Sequence, residues 1–148
     1  MAVVSKGFTL LELLVTISII GILLAIGSVS FSTAQKKGRD ARRQGDMVAI
    51  QKALEQCYSV DVRYPEVSFG SSLICTAGQT TMNQVPNDPK NTGTYVYTYT
   101  TNSGTTNTIY CLCAYLENTG TGNANTVGAN GVCSWAGTKN YFCVSNQQ

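Results

Sequence analysis

The 148-residue sequence contains no histidine. Histidine is the commonest general base and metal ligand near neutral pH, so its absence removes the usual acid–base and metal chemistry. A nucleophile–base pair cannot be assembled without it, and the sequence has no glycine-rich phosphate-binding loop. We therefore expect a protein that is not an enzyme and that needs neither a cofactor nor a metal ion.

Proline and charge are also scarce. The first proline is Pro65, and the net charge of +2 predicts no strong overall attraction to nucleic acid. Residues 67–148 carry only four charged side chains, which are Asp88, Lys90, Glu117 and Lys139. By contrast, residues 36–43, KKGRDARR, form a basic cluster. This cluster could bind DNA phosphates. The favoured explanation is that its side chains are solvated on a helix face or form ion pairs with Asp40, Asp46 and other chains.

One long apolar run is present. Residues 8–31 are long enough to cross a bilayer as a helix, and they contain a single carboxylate, Glu12, near their start. Helical periodicity continues in residues 32–58, where apolar residues recur every three or four positions: Met47, Ile50, Leu54 and then Cys57 or Tyr58. The pattern predicts one helix from residue 8 to about 58. Its first half is apolar on all sides, and its second half is amphipathic. Residues 27–30, GSVS, have low helix propensity and form a soft point in it.

The remaining residues, 59–148, are predicted to form a globular β domain. Its alternating segments favour three strands, at residues 95–100, 108–117 and 140–145. The connections are predicted to be a long loop, a turn and a second loop, at residues 61–93, 101–106 and 118–131. Within the second strand, Cys111 and Cys113 share one face, and Tyr110 and Leu112 share the other. The chain is therefore predicted to be an α+β protein, with a small antiparallel sheet packed on the amphipathic half of the helix.

Six cysteines follow the apolar run, and an even number indicates disulfides formed in an oxidising compartment. Six cysteines allow 15 pairings, and the sequence alone does not choose among them. Cys57 could pair with Cys75, and Cys133 with Cys143. Cys111 and Cys113 could suggest a metal or redox site, but the absence of histidine favours disulfides there too.

Three interpretations compete for the N-terminus. A secretory signal peptide would be cut after the small residues 32–34, leaving a chain that starts near Gln35, but the apolar run is longer than such peptides have. A plain signal anchor would hold an extracytoplasmic binding domain that does not polymerise. The third interpretation rests on the segment KGFTLLE, residues 6–12.

KGFTLLE resembles the processing motif of type IV prepilins and pseudopilins. The resemblance implies that a prepilin peptidase cuts after Gly7 and that the new N-terminal residue, Phe8, is methylated. Glu12 becomes the fifth residue of the mature chain, with a role in assembly. Residues 36–58 and the VPNDP segment, residues 85–89, resemble parts of the same family. A disulfide-bonded type IV pilin-like fold is the expectation that follows.

The resemblance also implies a division of the chain and a location. Residues 1–7 would be the leader peptide and residues 8–31 a transmembrane helix that later forms the filament core. The precursor would span the cytoplasmic membrane once, with its C-terminus outside. An assembly platform in the inner membrane would then build it into an extracellular homo-oligomeric helical filament, a pilus or fimbrium. Such filaments serve cell adhesion, twitching motility or DNA uptake.

A pseudopilin of a type II secretion or DNA-uptake (competence) machine is the alternative within the family. Major pseudopilins of type II secretion usually carry an acidic calcium-binding loop, and residues 118–131 contain no carboxylate. The composition of this loop therefore favours a pilin.

The carboxylate of Glu12 is energetically unfavourable in a membrane, so its presence calls for an explanation. A carboxylate costs about 2.5–3.5 kcal/mol at the bilayer centre and less near its edge. Cleavage at Gly7 would expose the amine of Phe8, and in the family the partner of this acid is thought to be the amine of the next subunit. Pairing the two charges would favour one axial stagger between subunits. Snorkelling to the headgroups, or protonation, is the alternative explanation.

Overall fold

A computed structural model describes residues 7–102, 107–135 and 137–147. Its single long helix, α1, spans Leu10–Asp61, so the predicted helix is confirmed and continues three residues past the predicted end at residue 58. The helix continues without a break through residues 27–30, where the sequence has low helix propensity. The chain divides between Gln35 and Lys36 into two compact units.

The amphipathic half of α1 supplies one wall of the main core. The side chains at the predicted spacing, Met47, Ile50, Leu54 and Cys57, are all fully buried. The first three pack with Tyr64, Leu73 and Val85 from the following segment and with apolar side chains of the sheet. Burying a Leu or Met side chain contributes roughly 1.5–3 kcal/mol, so this stripe is what holds the helix to the domain.

Seven short strands follow the helix in the part of the chain that the structure describes. Their bounds are β1 Leu73–Ile74, β2 Thr80–Met82, β3 Thr98–Thr101, β4 Tyr110–Tyr115, β5 Thr126–Ala129, β6 Val132–Ser134 and β7 Tyr141–Ser145. Strands β3, β4 and β7 form an antiparallel sheet with β4 in the centre, which confirms the three predicted strands. The predicted turn at residues 101–106 lies largely outside the described residues.

The first predicted loop contains a strand pair and the second contains one strand of another pair, and this corrects the sequence prediction. Strands β1 and β2 pair within residues 61–93, and β5 of residues 118–131 pairs with β6. Strands of two to four residues are too short to show alternation. The β5–β6 turn does have a sequence signal: Asn130 and Gly131 both have positive φ, 51° and 77°, as expected for an Asn-Gly hairpin turn.

Strand β4 separates two cores. Tyr110, Leu112 and Ala114 belong to the core shared with the helix, whereas Cys111 and Cys113 belong to a second cluster on the other face. The predicted alternation is confirmed, and it explains why all six residues of β4 are buried or nearly so. The second core contains Cys133 and Cys143 as well.

Candidate functional site

The predicted cleavage site is in the segment just before α1. Gly7, Phe8 and Thr9 are not helical, and all three are exposed. The Phe8 ring is 83% exposed. Proteases cut accessible segments that are not held in a helix, and the bond between Gly7 and Phe8 lies in such a segment. The rest of the predicted leader, residues 1–6, lies outside the described residues.

The first turn of α1 is held by a reciprocal capping pair between Thr9 and Glu12. The Thr9 backbone N–H and hydroxyl both donate to Glu12 Oε2, each at 2.9 Å. In return, the Glu12 N–H donates to Thr9 Oγ1 at 3.2 Å. This is the T-x-x-E capping box, which satisfies backbone donors that a helix start otherwise leaves free. The spacing is visible in the sequence, and it gives Glu12 hydrogen-bond partners within its own chain.

The capping pair lies entirely on the mature side of the predicted cut. Thr9 and Glu12 both follow Phe8, so cleavage after Gly7 leaves every group of the pair in place. The N-terminal amine of a mature chain would be that of Phe8, the residue before Thr9. A carboxylate, its internal donors and the amine that cleavage would expose therefore all lie within residues 8–12.

The helix after Glu12 presents its apolar side chains to the surroundings. The large apolar side chains that are exposed in residues 10–31 are Leu10, Leu11, Leu13, Leu14, Val15, Ile17, Ile19, Ile20, Ile22, Leu23, Leu24, Ile26 and Phe31. The hydroxyls of Thr16, Ser18, Ser28 and Ser30 donate to carbonyls three or four residues earlier, so these polar groups are satisfied within the helix. Within the described residues, one helix is long and apolar enough to cross a membrane by length and composition.

Comparison with known families identifies this segment. Residues 4–28 match the family model of the prokaryotic N-terminal methylation motif. The chain carries a class III prepilin leader motif. The match includes Gly7, Phe8 and Glu12, and it supports a type IV pilin-like or pseudopilin precursor. The motif implies processing by prepilin peptidase, and it fits anchoring of the precursor in a membrane before assembly. No curated protein and no solved structure matches the chain.

The basic cluster that follows the prepilin leader and its apolar helix is divided by the fold. Arg43 is fully buried, and Arg39 is partly buried, whereas Lys36, Lys37 and Arg42 are exposed. Arg42 lies 3.9 Å from Asp46, which is the predicted pair four residues apart. The exposed side chains are solvated, as predicted, but Arg43 lies inside the domain and Arg39 is partly covered.

Arg43 joins three carboxylates from different parts of the chain. Its Nε and Nη2 donate to Asp88 at 2.6 and 3.0 Å, and its Nη1 donates to Asp40 at 2.8 Å and to Glu117 at 3.0 Å. Glu117 also pairs with Arg39 at 2.6 Å and with Lys90 at 2.8 Å. We call these six residues the Arg43 cluster. It connects α1 to the segment before β3 and to the end of β4.

The electrostatics of the cluster favour the charged forms. The hydrogen bond from Arg39 and those from Lys90 and Arg43 hold the pKa of Glu117 far below its usual range, against the effect of burial. Burial alone would raise the pKa of Asp40, but the backbone N–H groups of Glu117 and Asn118 donate to it and lower that pKa. The cluster is therefore a fully paired ionic network and not a reactive site.

All six candidate cysteines are bonded. Cys57 pairs with Cys75, as predicted, and ties the end of α1 to β1. The predicted Cys133–Cys143 pair is wrong: Cys111 bonds to Cys133, and Cys113 bonds to Cys143. The physical reason is the register, because Cys113 and Cys143 face each other directly across β4 and β7. Three disulfides contribute about 2–4 kcal/mol each to the stability of this small domain.

Proposed function

We propose that this protein is the structural subunit of a type IV pilus-like extracellular filament. A prepilin peptidase cuts the membrane-inserted precursor after Gly7, and Phe8 is then N-methylated. An assembly platform in the inner membrane extracts the mature chain into a helical homo-oligomer. The observation that carries this proposal is the match of residues 4–28 to the methylation motif, followed by a helix with an exposed apolar surface.

The apolar surface explains why one helix suits two surroundings. In the membrane, the exposed Leu and Ile side chains face acyl chains, and lipid provides no hydrophobic drive for helix association. Outside the membrane, only neighbouring helices can remove them from water, at about 25 cal/mol per Å² of apolar surface buried. A subunit extracted from lipid is therefore stable only within a bundle of its own kind.

Glu12 sets the register of that bundle. In the single chain, the Thr9 N–H and hydroxyl partly satisfy the carboxylate, which lowers the cost of holding it near the membrane edge. In the filament, the methylated amine of Phe8 in a neighbouring subunit supplies a full positive charge in surroundings of low dielectric. A helix shifted by one turn would leave both charges unpaired, so the pair selects one stagger.

The role of the globular unit in the proposal is to form the filament surface. Its three disulfides and the Arg43 cluster hold a domain of short strands together against pulling and proteolysis. We propose no catalytic role for the chain, and the filament would act through its length and its surface.

Intact-mass analysis of the protein isolated from its own host tests the processing step. The proposal predicts a chain that starts at Phe8 and carries one additional methyl group. A non-polymerising membrane anchor would retain residues 1–7, and a secreted domain would begin near Gln35. Either of these two masses would contradict the proposal.

A pseudopilin is the second candidate, because the same leader motif serves both classes. The mass of the mature chain does not distinguish the two, but electron microscopy of material sheared from the cell surface does. Long filaments that contain this chain support the pilus proposal. The pseudopilin is supported if the chain stays in the membrane fraction while the cells secrete proteins normally or take up DNA normally.

A further inference from the structure

The second core of the domain brings four cysteine sulfurs together. Cys111 and Cys113 are neighbours on one face of β4, and their partners come from β6 and β7. All four Sγ atoms lie within 4.8 Å of one another. Cys111 Sγ and Cys113 Sγ, which belong to different disulfides, are 3.4 Å apart. This is close to van der Waals contact, so the two bonds are adjacent and not merely in the same core.

We propose that Cys111, Cys113, Cys133 and Cys143 form one exchange unit, in which an external thiol makes the two disulfides trade partners without unfolding the domain. The attacking group belongs to a small thiol or to the active cysteine of a thiol–disulfide oxidoreductase. Disulfides rearrange by attack of a thiolate on a disulfide sulfur, so the sulfurs that trade partners must be able to come into contact.

The entry point is Cys133. It is 7% exposed, whereas Cys111, Cys113 and Cys143 are each 1% exposed. The external thiolate attacks Cys133 Sγ and forms a mixed disulfide with it. The bond between Cys111 and Cys133 breaks, and its electron pair leaves with Cys111 as a thiolate.

The second step uses the contact between the two disulfides. The Cys111 thiolate lies beside Cys113 Sγ, attacks it, and forms a bond between Cys111 and Cys113. The bond between Cys113 and Cys143 breaks, and Cys143 becomes the thiolate. The Cα atoms of residues two apart in a strand are about 6.6 Å apart, at the upper end of the range that a disulfide spans, so β4 must bend locally as this bond forms.

The third step returns the catalyst. The Cys143 thiolate attacks Cys133 Sγ in the mixed disulfide, forms a bond between Cys133 and Cys143, and releases the external thiolate. Two disulfides are present before and after, so nothing is oxidised or reduced overall. Ala124 and Tyr141 pack with the four cysteines in this core.

The third disulfide is an internal control, because Cys57 and Cys75 are not part of the four-sulfur group. A Cys143→Ser variant leaves a free thiol on Cys113 beside the Cys111–Cys133 bond. A Cys75→Ser variant leaves a free thiol on Cys57, away from that group. Each full-length protein is held at neutral pH, quenched in acid, and labelled with a maleimide in guanidinium. After reduction, the labelled cysteine is located by tandem mass spectrometry.

We expect the maleimide in Cys143→Ser to be spread over Cys113 and at least one of Cys111 and Cys133. In Cys75→Ser it should remain on Cys57. A label found only on Cys113 would overturn the proposal, because a thiol in contact with a disulfide would then not exchange with it.

The wild-type protein gives a second test that does not depend on the folding of a variant. It is incubated with catalytic reduced glutathione and digested with chymotrypsin without reduction. Because chymotrypsin cuts after Trp135 and Phe142, a Cys133–Cys143 bond yields a linked peptide pair that the starting protein does not contain. Its appearance with the far-UV circular dichroism unchanged supports the exchange unit. Its absence, or its appearance only after unfolding, contradicts the unit.

Discussion

Arg43 and Asp88 form a two-point ion pair in the interior of the domain. Two hydrogen bonds of 2.6 and 3.0 Å join the guanidinium to the carboxylate, and both side chains are fully shielded from solvent. The residues are 45 positions apart in sequence. Asp88 also accepts the Lys90 N–H at 2.8 Å, so the pair fixes the loop that leads into the sheet. The tie gives α1 a polar attachment to the domain besides its apolar stripe.

Replacing Arg43 should strongly destabilise the domain. Arg43→Ala leaves Asp88 buried without its cation, and breaking a buried pair in this way costs about 3–5 kcal/mol. Arg43→Lys should recover little of this loss, because a lysine cannot make the two-point contact. Arg42→Ala is the matched control: Arg42 is 64% exposed, and it should lose less than about 1 kcal/mol. Urea unfolding of the detergent-solubilised protein, monitored by near-UV circular dichroism, compares the three. Equal losses for Arg42→Ala and Arg43→Ala would contradict the described network.

Acid should weaken the domain through Glu117. Its pKa is lowered in the folded state, chiefly by the hydrogen bond from Arg39. A group with a lowered folded pKa contributes stability that is complete above its unfolded pKa, about 4.3, and that disappears as the pH falls through the folded value. The melting temperature should therefore fall below about pH 4.3, with part of this dependence absent in Glu117→Gln. A Glu117→Gln protein with the full wild-type slope would show that Glu117 does not carry it.

Val62 is strained where α1 ends. Its φ is 53°, a left-handed conformation that glycine adopts freely and a β-branched residue rarely does. Its N–H donates to the Tyr58 carbonyl at 2.9 Å, and its side chain is 66% exposed, so little packing would be lost on substitution. We expect Val62→Gly to raise the free energy of unfolding by about 1 kcal/mol.

Val60 supplies the control for this prediction. It is an exposed valine in the last turn of the same helix, where glycine relieves no strain. Val60→Gly should therefore lower the free energy of unfolding by about 0.5 kcal/mol. Changes of the same sign in the two variants would contradict the strained helix end.

The Thr9 cap should protect the first turn of α1. Thr9→Val keeps the shape of the side chain but removes the hydroxyl that accepts the Glu12 N–H. Loss of a cap costs about 1 kcal/mol, which is roughly a fivefold faster exchange of that amide. Hydrogen exchange measured by NMR in micelles tests this, with Thr9→Ser expected to exchange at the wild-type rate. An unchanged rate in Thr9→Val would show that the hydroxyl does not protect the amide.

Local patterns predicted a large part of this fold. The stripe of Met47, Ile50 and Leu54 follows the 3.6-residue repeat of a helix, and the two faces of β4 follow the two-residue repeat of a strand. The burial of these side chains agrees with both repeats. The leader motif is likewise a short contiguous signal. The T-x-x-E cap and the Asn-Gly turn are equally local signals, and both could be predicted from the sequence by their spacing and residue types.

Partners that are distant in sequence were not predictable in the same way. Residues 67–148 contain only two carboxylates, Asp88 and Glu117, and both are buried against Arg43. Their rarity in a nearly uncharged segment was a signal that they had interior partners, but nothing local names Arg43. The disulfide pairing failed for a related reason. It depends on the register between β4 and β7, and sequence spacing contains no information about that register.

Glu12 offers the most direct test of the account. Glu12→Ala removes both the cap and the charge, whereas Glu12→Gln keeps a side chain that can complete the capping box but removes the charge. Filaments sheared from cells that express each variant at the wild-type precursor level are counted by electron microscopy. Because assembly is attributed to the charge, both variants should yield few or no filaments. Wild-type numbers of regular filaments from Glu12→Gln would contradict the account.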